Sequence, residues 1–145
     1  MLAMDFGTLQ GGTGTLRSST SGSTGTGDVV VLISGVSSGL PYTITETSAA
    51  PLTSGTNTVP PGACVVTPVY ADADNGGASL VGALGTPGSW VGTRILYTSD
   101  AIGSIRTIQA HFAVVDTGTP GATENVPLNQ PAGTYTGTVT FTVSA

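Results

Sequence analysis

The strongest constraint on the fold is a shortage of residues that favour helices. Lysine is absent, and glutamate, glutamine, arginine and methionine are scarce, whereas the 145 residues include 25 threonines, 22 glycines and 14 serines. Threonine, valine, isoleucine and tyrosine are typical of strands, and glycine and serine are typical of turns. The composition therefore predicts an all-β protein.

The clearest strand pattern lies in residues 134–143, where threonines alternate with larger apolar side chains. Successive side chains of a strand point to opposite faces, so this pattern predicts one polar and one buried face. The residues expected on the buried face are Tyr135, Val139, Phe141 and Val143. A second alternation, in residues 105–116, places Ile108, Ala110, Phe112 and Val114 on one face.

Further strands are predicted at residues 28–34, 41–47, 64–70 and 90–99, with a short strand within 78–84. Pro68 argues for an edge or a bulge in its strand, because proline cannot donate to a sheet. Residues 21–27, a run of Gly, Ser and Thr, are expected to form a flexible loop. Seven to nine strands with turn signals between them predict one domain over residues 1–145, an antiparallel immunoglobulin-like β-sandwich.

Charge and hydropathy exclude two classes of partner. The net charge is −5 and the only cations are Arg17, Arg94 and Arg106, which cannot neutralise a run of phosphates, so nucleic-acid binding is not expected. No apolar run approaches the roughly 20 residues of a membrane helix, so membrane insertion is not expected either. The low charge and many hydroxyl groups favour a secreted or cell-surface protein.

Catalytic chemistry lacks its usual parts. The single histidine, His111, lies within an alternating strand pattern, and Glu46 and Glu124 are expected beside loops rather than as a catalytic pair. Zinc binding is implausible with one cysteine and one histidine, and Cys64 is expected to be a small buried apolar residue. We therefore predict that the protein is not an enzyme.

Calcium is the one cation for which the sequence offers a candidate site. Residues 72–77 contain Asp72, Asp74 and Asn75 within a Gly-rich segment, and calcium prefers such oxygen ligands. Gly76 stands where an EF-hand loop would carry another oxygen side chain. A solvated acidic turn is the simpler interpretation, and no cofactor is expected.

Two ends of the chain resemble one family. The opening Met4-Asp5-Phe6-Gly7-Thr8-Leu9 resembles the LDFG first strand of spore-coat-protein-U-like and related pilin-like secreted proteins. The closing residues 131–143 are similar to their last strand, a Gly-x-Tyr followed by alternating Thr and Val. The middle of the chain fits the family layout more loosely.

The resemblance implies an incomplete pilin-like sandwich that lacks its own final strand and assembles into surface fibres. In donor-strand complementation, an extension of the neighbouring subunit fills the groove beside the last strand. Here that groove would be lined by Tyr135, Val139, Phe141 and Val143. The sequence departs from chaperone–usher pilins, because only four residues precede Asp5.

Two interpretations of residues 1–10 therefore stay open. They are either the donor strand, which would insert Leu2, Met4, Phe6 and Leu9, or an ordinary first strand of their own domain. The leading prediction is a structural subunit of an extracellular filament, pilus-like fibre or coat that partners with itself. The alternatives are a viral capsid or tail protein, and a secreted adhesive or carbohydrate-binding module. Such a module would need an exposed platform of Trp90 with Tyr97 or Tyr70, although Trp90 suits a core position better.

Overall fold

The chain forms strands that are joined mainly by loops. A computed structural model describes residues 29–34, 39–71, 81–115 and 117–145. The strands in these ranges are β1 (Val29–Ser34), β2 (Thr43–Ser48), β3 (Thr53–Ser54), β4 (Asn57–Thr58), β5 (Cys64–Tyr70), β6 (Ala83–Leu84), β7 (Gly88–Ser89), β8 (Gly92–Thr98), β9 (Thr107–Val114) and β10 (Thr140–Ser144). One turn of 3-10 helix, Pro61–Ala63, is the only helix among them. Within the same ranges, no helix is long and apolar enough to cross a membrane.

The strands form two four-stranded antiparallel sheets and a small hairpin. The first sheet has the order β1-β9-β5-β7 and the second has the order β10-β2-β8-β6, while β3 pairs with β4. Both large sheets contribute to one apolar core, so they pack face to face as a β-sandwich. The prediction of an all-β antiparallel fold is confirmed.

The core is built on the inner face of β9. Ile108, Ala110, Phe112 and Val114 are all 0% exposed, as the alternation in the sequence predicts. The second sheet covers them with apolar side chains of its own, among which are Tyr42, Ile44, Leu96 and Tyr97. Trp90 lies against Phe112 with the ring centroids 5.4 Å apart.

Several predicted elements are found with small differences. The strand at residues 64–70 is present with the predicted bounds, and Pro68 lies beyond the two residues that pair with β7, where a missing donor is tolerated. In the described part of the short strand predicted within 78–84, residues 81–84, pairing is found at Ala83–Leu84. The strands predicted near the start of the chain, the loop at 21–27 and the acidic segment 72–77 lie outside the described residues.

A β-bulge in β8 changes which of its side chains face the core. Ile44 pairs with Tyr97 but its neighbour Thr45 pairs with Ile95, so one extra residue, Leu96, stands in β8. Leu96 and Tyr97 are consequently both buried, although they are adjacent. Beyond the bulge, the register places Arg94 opposite Glu46.

Gly103 is a position where any other residue is expected to be destabilising, both because its backbone has a positive φ and because the chain at Leu40 passes close to it. Its φ is +65°, and a Cβ at this position would overlap the carbonyl oxygen of Leu40. We expect Gly103→Ala to lower the free energy of unfolding by about 3 kcal/mol, measured by urea denaturation.

Gly55 is the matched control, since its φ is +61° but a Cβ added there would have no other atom within 4 Å. Gly55→Ala therefore carries only the backbone penalty, about 1 kcal/mol. Equal losses for the two variants would show that the contact with Leu40 is unimportant.

Candidate functional site

The most distinctive surface feature is one side of β10. This strand pairs with β2 from Thr140↔Thr47 to Ser144↔Thr43, and no strand in the described ranges pairs with its other side. We call this unpaired side the β10 edge. It presents backbone N–H and C=O groups without a strand partner, which is the feature that lets another strand add to a sheet.

Apolar side chains next to the β10 edge are incompletely covered. Phe141 and Val139 are half-buried against the core, and the Phe141 ring lies 6.0 Å from that of Phe112 in an edge-on arrangement. Val143, opposite the buried Ile44, remains 39% exposed. The inner face of the last strand therefore belongs to the core at Phe141 and is partly open to solvent at Val143.

The last strand is shorter than the alternation predicts. Thr136 bonds to Thr53 of the β3–β4 hairpin through both backbone groups, at 2.8 and 2.9 Å, and strand pairing with β2 begins only at Thr140. Tyr135 is half-buried, with its hydroxyl donating to the Pro131 carbonyl oxygen at 2.7 Å. The prediction of one continuous strand through residues 134–143 is wrong, because this segment changes partner from the hairpin to the sheet.

Glu46 is the most unusual side chain beside this edge. It lies in the middle of β2, it is 0% exposed, and neither of its carboxylate oxygens has a hydrogen-bond partner in the described part of the chain. Burial raises the pKa of the Glu46 carboxyl from 4.5 to about 8, although the positive charge of Arg94 opposes the shift. The expectation that Glu46 lies beside a loop is wrong. The burial of Glu46 could have been predicted from the sequence, because Tyr42, Ile44 and Glu46 are spaced two residues apart and so lie on one face of the extended segment.

Arg94 faces Glu46 across β2 and β8 but makes its hydrogen bond elsewhere. Its Nη2 donates to the Thr86 carbonyl oxygen at 2.7 Å, while its Nε has no partner among the described residues. The guanidinium group also lies against Gly88 of β7, where an added Cβ would come within 2.6 Å of it. Arg94 therefore contacts both sheets, and its charge acts on Glu46 without a hydrogen bond to either carboxylate oxygen.

Two groups of residues for which the sequence predicts a role lie in parts of the chain that the structure does not describe. The predicted donor residues Leu2, Met4, Phe6 and Leu9, and the calcium candidates Asp72, Asp74 and Asn75, lie outside the described residues. Within the described ranges, no group of three or more His, Cys, Asp or Glu side chains could hold a metal ion.

Cys64 and Glu124 have clear structural positions. Cys64 is a free, buried thiol, and burial raises its pKa to about 12, so it behaves as the small apolar residue that was expected. Glu124 accepts a hydrogen bond at 2.7 Å from the backbone N–H of Gly62, in the 3-10 turn. Its carboxylate therefore holds the loop after β9 against that turn.

The aromatic residues considered for carbohydrate binding do not form an exposed platform. Trp90 is 2% exposed and Tyr97 is 0% exposed, and Tyr70 packs edge-on against Tyr97 at 6.3 Å. The faces of Trp90 and Tyr97 are part of the core, so a sugar ring could not stack on either of them in this fold.

Comparisons of the chain with models of protein families, with curated proteins and with solved structures find no match.

Proposed function

We propose that this protein is a structural subunit of an extracellular filament, pilus-like fibre or coat, and that its subunits join by β-strand donation. The observation that carries the proposal is the β10 edge, the side of β10 on which no described strand pairs, with half-buried Phe141 and Val139 and exposed Val143 beside it. An added strand would pair with the free backbone groups and cover these side chains.

Residues 1–10 provide a strand of suitable pattern in a neighbouring subunit. Leu2, Met4 and Phe6 alternate with Ala3 and Asp5, so one face of an extended segment would be apolar and the other would be small or polar. Each large apolar side chain could contribute roughly 1.5–3 kcal/mol on burial, before the loss of chain entropy. Three such side chains are a reasonable source of a stable contact.

The proposal also accounts for the surface composition. The outer face of β10 carries exposed Thr140 and Thr142, and the chain has few charges and no lysine. A polar, weakly charged face suits repeated side-by-side subunits outside the cell. The adhesive or carbohydrate-binding alternative is disfavoured because Trp90 and Tyr97 are buried and cannot form an exposed aromatic platform. Nothing in the described residues favours a viral capsid or tail protein over a filament subunit.

The donor role predicts that deletion of residues 1–10 abolishes assembly. We expect negative-stain electron microscopy of the full chain to show uniform fibres, and size-exclusion chromatography of the deletion variant to show monomer or amorphous aggregate. The reason is that the apolar donor side chains are removed while the β10 edge stays unpaired. Fibres of normal appearance from the deletion variant would eliminate residues 1–10 as the donor.

The acceptor side has a matched pair of variants on adjacent residues of β10. Val143→Asp places a charge on the partly open apolar face, whereas Thr142→Asp places it on the outer face, where Thr142 is exposed. Both should fold, because neither position is buried, but only Val143→Asp should prevent fibre formation. A full chain that remains a monodisperse monomer at all concentrations would overturn the filament proposal itself.

A further inference from the structure

Glu46 lies between two very different neighbours on the inner face of its sheet. Across from it, β10 presents Phe141 and β8 presents Arg94. The elements packed around it offer few other titratable groups. On β10 and β9 the inward residues are apolar, β1 contains no titratable residue, β5 has Cys64 and Tyr70, and β8 has Tyr97, whose pKa burial raises to about 12. Among the described residues, the guanidinium of Arg94 is the one charge that acts on Glu46.

The charge of an ionised Glu46 would be poorly compensated inside the sandwich. Arg94 is the natural partner, but its guanidinium is bonded to the Thr86 carbonyl oxygen, and both Glu46 oxygens lack a hydrogen bond within the described ranges. A buried charge without hydrogen bonds is strongly unfavourable, so ionisation requires that water reach the carboxylate.

The two sides of the sandwich differ in how easily they admit water. On the β8 side, the chain crosses from β6 in one sheet to β7 in the other, and it is bonded to β8 by Gly85 N–H to the Leu96 carbonyl oxygen at 2.9 Å and by Arg94. On the other side stands β10, which is joined to its sheet only through β2 among the described strands. Separation of β10 is therefore the easier route for water.

We propose that Glu46 is a pH-operated latch on β10: the neutral carboxyl lets β10 close over the core, and the ionised carboxylate releases it. Phe141 connects Glu46 to the packing of β10, because it is the residue paired with Glu46 and its ring packs against Phe112. The latch concerns the chain as a monomer, in which no added strand covers the β10 edge, so it does not require that fibres form.

The direction of the pH effect follows from the two states of the carboxyl. With β10 closed, the pKa of Glu46 is about 8, and with β10 open and the carboxyl in water it returns towards 4.5. Between these values only the open form has lost the proton, so the equilibrium constant for opening rises up to tenfold per pH unit. Below pH 4.5 and above pH 8 it is constant, since both forms then carry the same charge.

Hydrogen exchange of the full chain at pH 5, 6, 7, 8 and 9, at a concentration where size-exclusion chromatography shows monomer, tests the latch. After correction for the intrinsic pH dependence of exchange, we expect the protection of the β10 amides bonded to β2 to fall up to tenfold per unit from pH 5 to pH 8 and then to level off. Glu46→Gln should make this protection independent of pH. Glu124→Gln, the same change in the loop after β9, should leave the wild-type profile unaltered, because the amide oxygen can still accept the hydrogen bond from the Gly62 N–H.

Three results would overturn the latch: constant β10 protection from pH 5 to pH 8, an unchanged profile in Glu46→Gln, or protection factors of the β10 amides as high as those of the most protected β5 and β9 amides at each pH. The last would mean that the whole sandwich opens and not β10 alone. If Glu46→Gln does not fold, Glu46→Met, which removes the polar group at similar length, serves for the same comparison.

Discussion

Replacing Phe112 by alanine is expected to lower the free energy of unfolding by about 3–5 kcal/mol, the usual loss for a large buried aromatic side chain. Phe112 is 0% exposed and stands at the centre of the sandwich. Its ring lies 5.4 Å from Trp90 and 6.0 Å from Phe141, so it joins the core to the last strand. A domain of this size has a total stability of roughly 5–15 kcal/mol, so the variant should be close to unfolding at 37 °C.

Urea denaturation followed by fluorescence gives a direct measurement, because Trp90 is the only tryptophan and it touches the substituted residue. Ile95→Ala is the control, since Ile95 is 53% exposed on the outer face of β8 and should change the stability by less than about 1 kcal/mol. A Phe112→Ala variant as stable as Ile95→Ala would mean that the core is centred elsewhere.

The second large effect is a dependence of global stability on Glu46. The pKa of the Glu46 carboxyl is raised in the folded state, so this group contributes stability below pH 4.5 that is lost progressively as the pH rises towards about 8. The slope is about 1.4 kcal/mol per pH unit, and the whole interval amounts to roughly 5 kcal/mol. Glu46→Met should remove this slope and be more stable than the wild type at pH 8, because no charge is then buried.

Denaturation curves at pH 5, 6, 7 and 8 measure the slope, and Asp100→Asn is the control. Hydrogen bonds from the Ser104 hydroxyl and backbone N–H hold the pKa of Asp100 below its ordinary value of 3.8, so this carboxyl is ionised in both states above pH 5. Asp100→Asn should therefore change the free energy of unfolding by the same amount at every pH from 5 to 8 and leave its pH dependence unaltered. If Glu46→Met keeps the wild-type slope, another group is responsible.

Alternating strands were predictable because their signal is local. The strand Cys64–Tyr70 was found with its predicted bounds, and the apolar face of β9 was predicted residue by residue. Burial of Cys64 and Trp90 was also expected, since each lies within or beside an apolar strand pattern. In such cases the period of two in the sequence matches the pleat of the sheet, and no distant residue changes it.

The candidate site was predictable only in part. Phe141 and Val139 were expected to form a groove beside the last strand, and they do lie beside the β10 edge, but Tyr135 belongs to a segment bonded to the β3–β4 hairpin. The segment around Tyr135 pairs with the hairpin through hydrogen bonds between Thr136 and Thr53, which lies some 80 positions earlier in the chain. A local sequence pattern cannot predict a pairing with so distant a residue.

The residues alone determined the class of the fold, because a chain poor in helix formers and rich in alternating Thr and Val can satisfy its backbone only in sheets. The sequence also determined which side chains share the inner face of β2 and the residue before it, because Tyr42, Ile44 and Glu46 are spaced two residues apart. Only the tertiary structure decided that Arg94 bonds to Thr86, that the Glu46 oxygens have no hydrogen-bond partner among the described residues, and that β10 is the outermost described strand of its sheet. Both depend on which strands become neighbours, and that is decided by packing of the two sheets and not by any one segment.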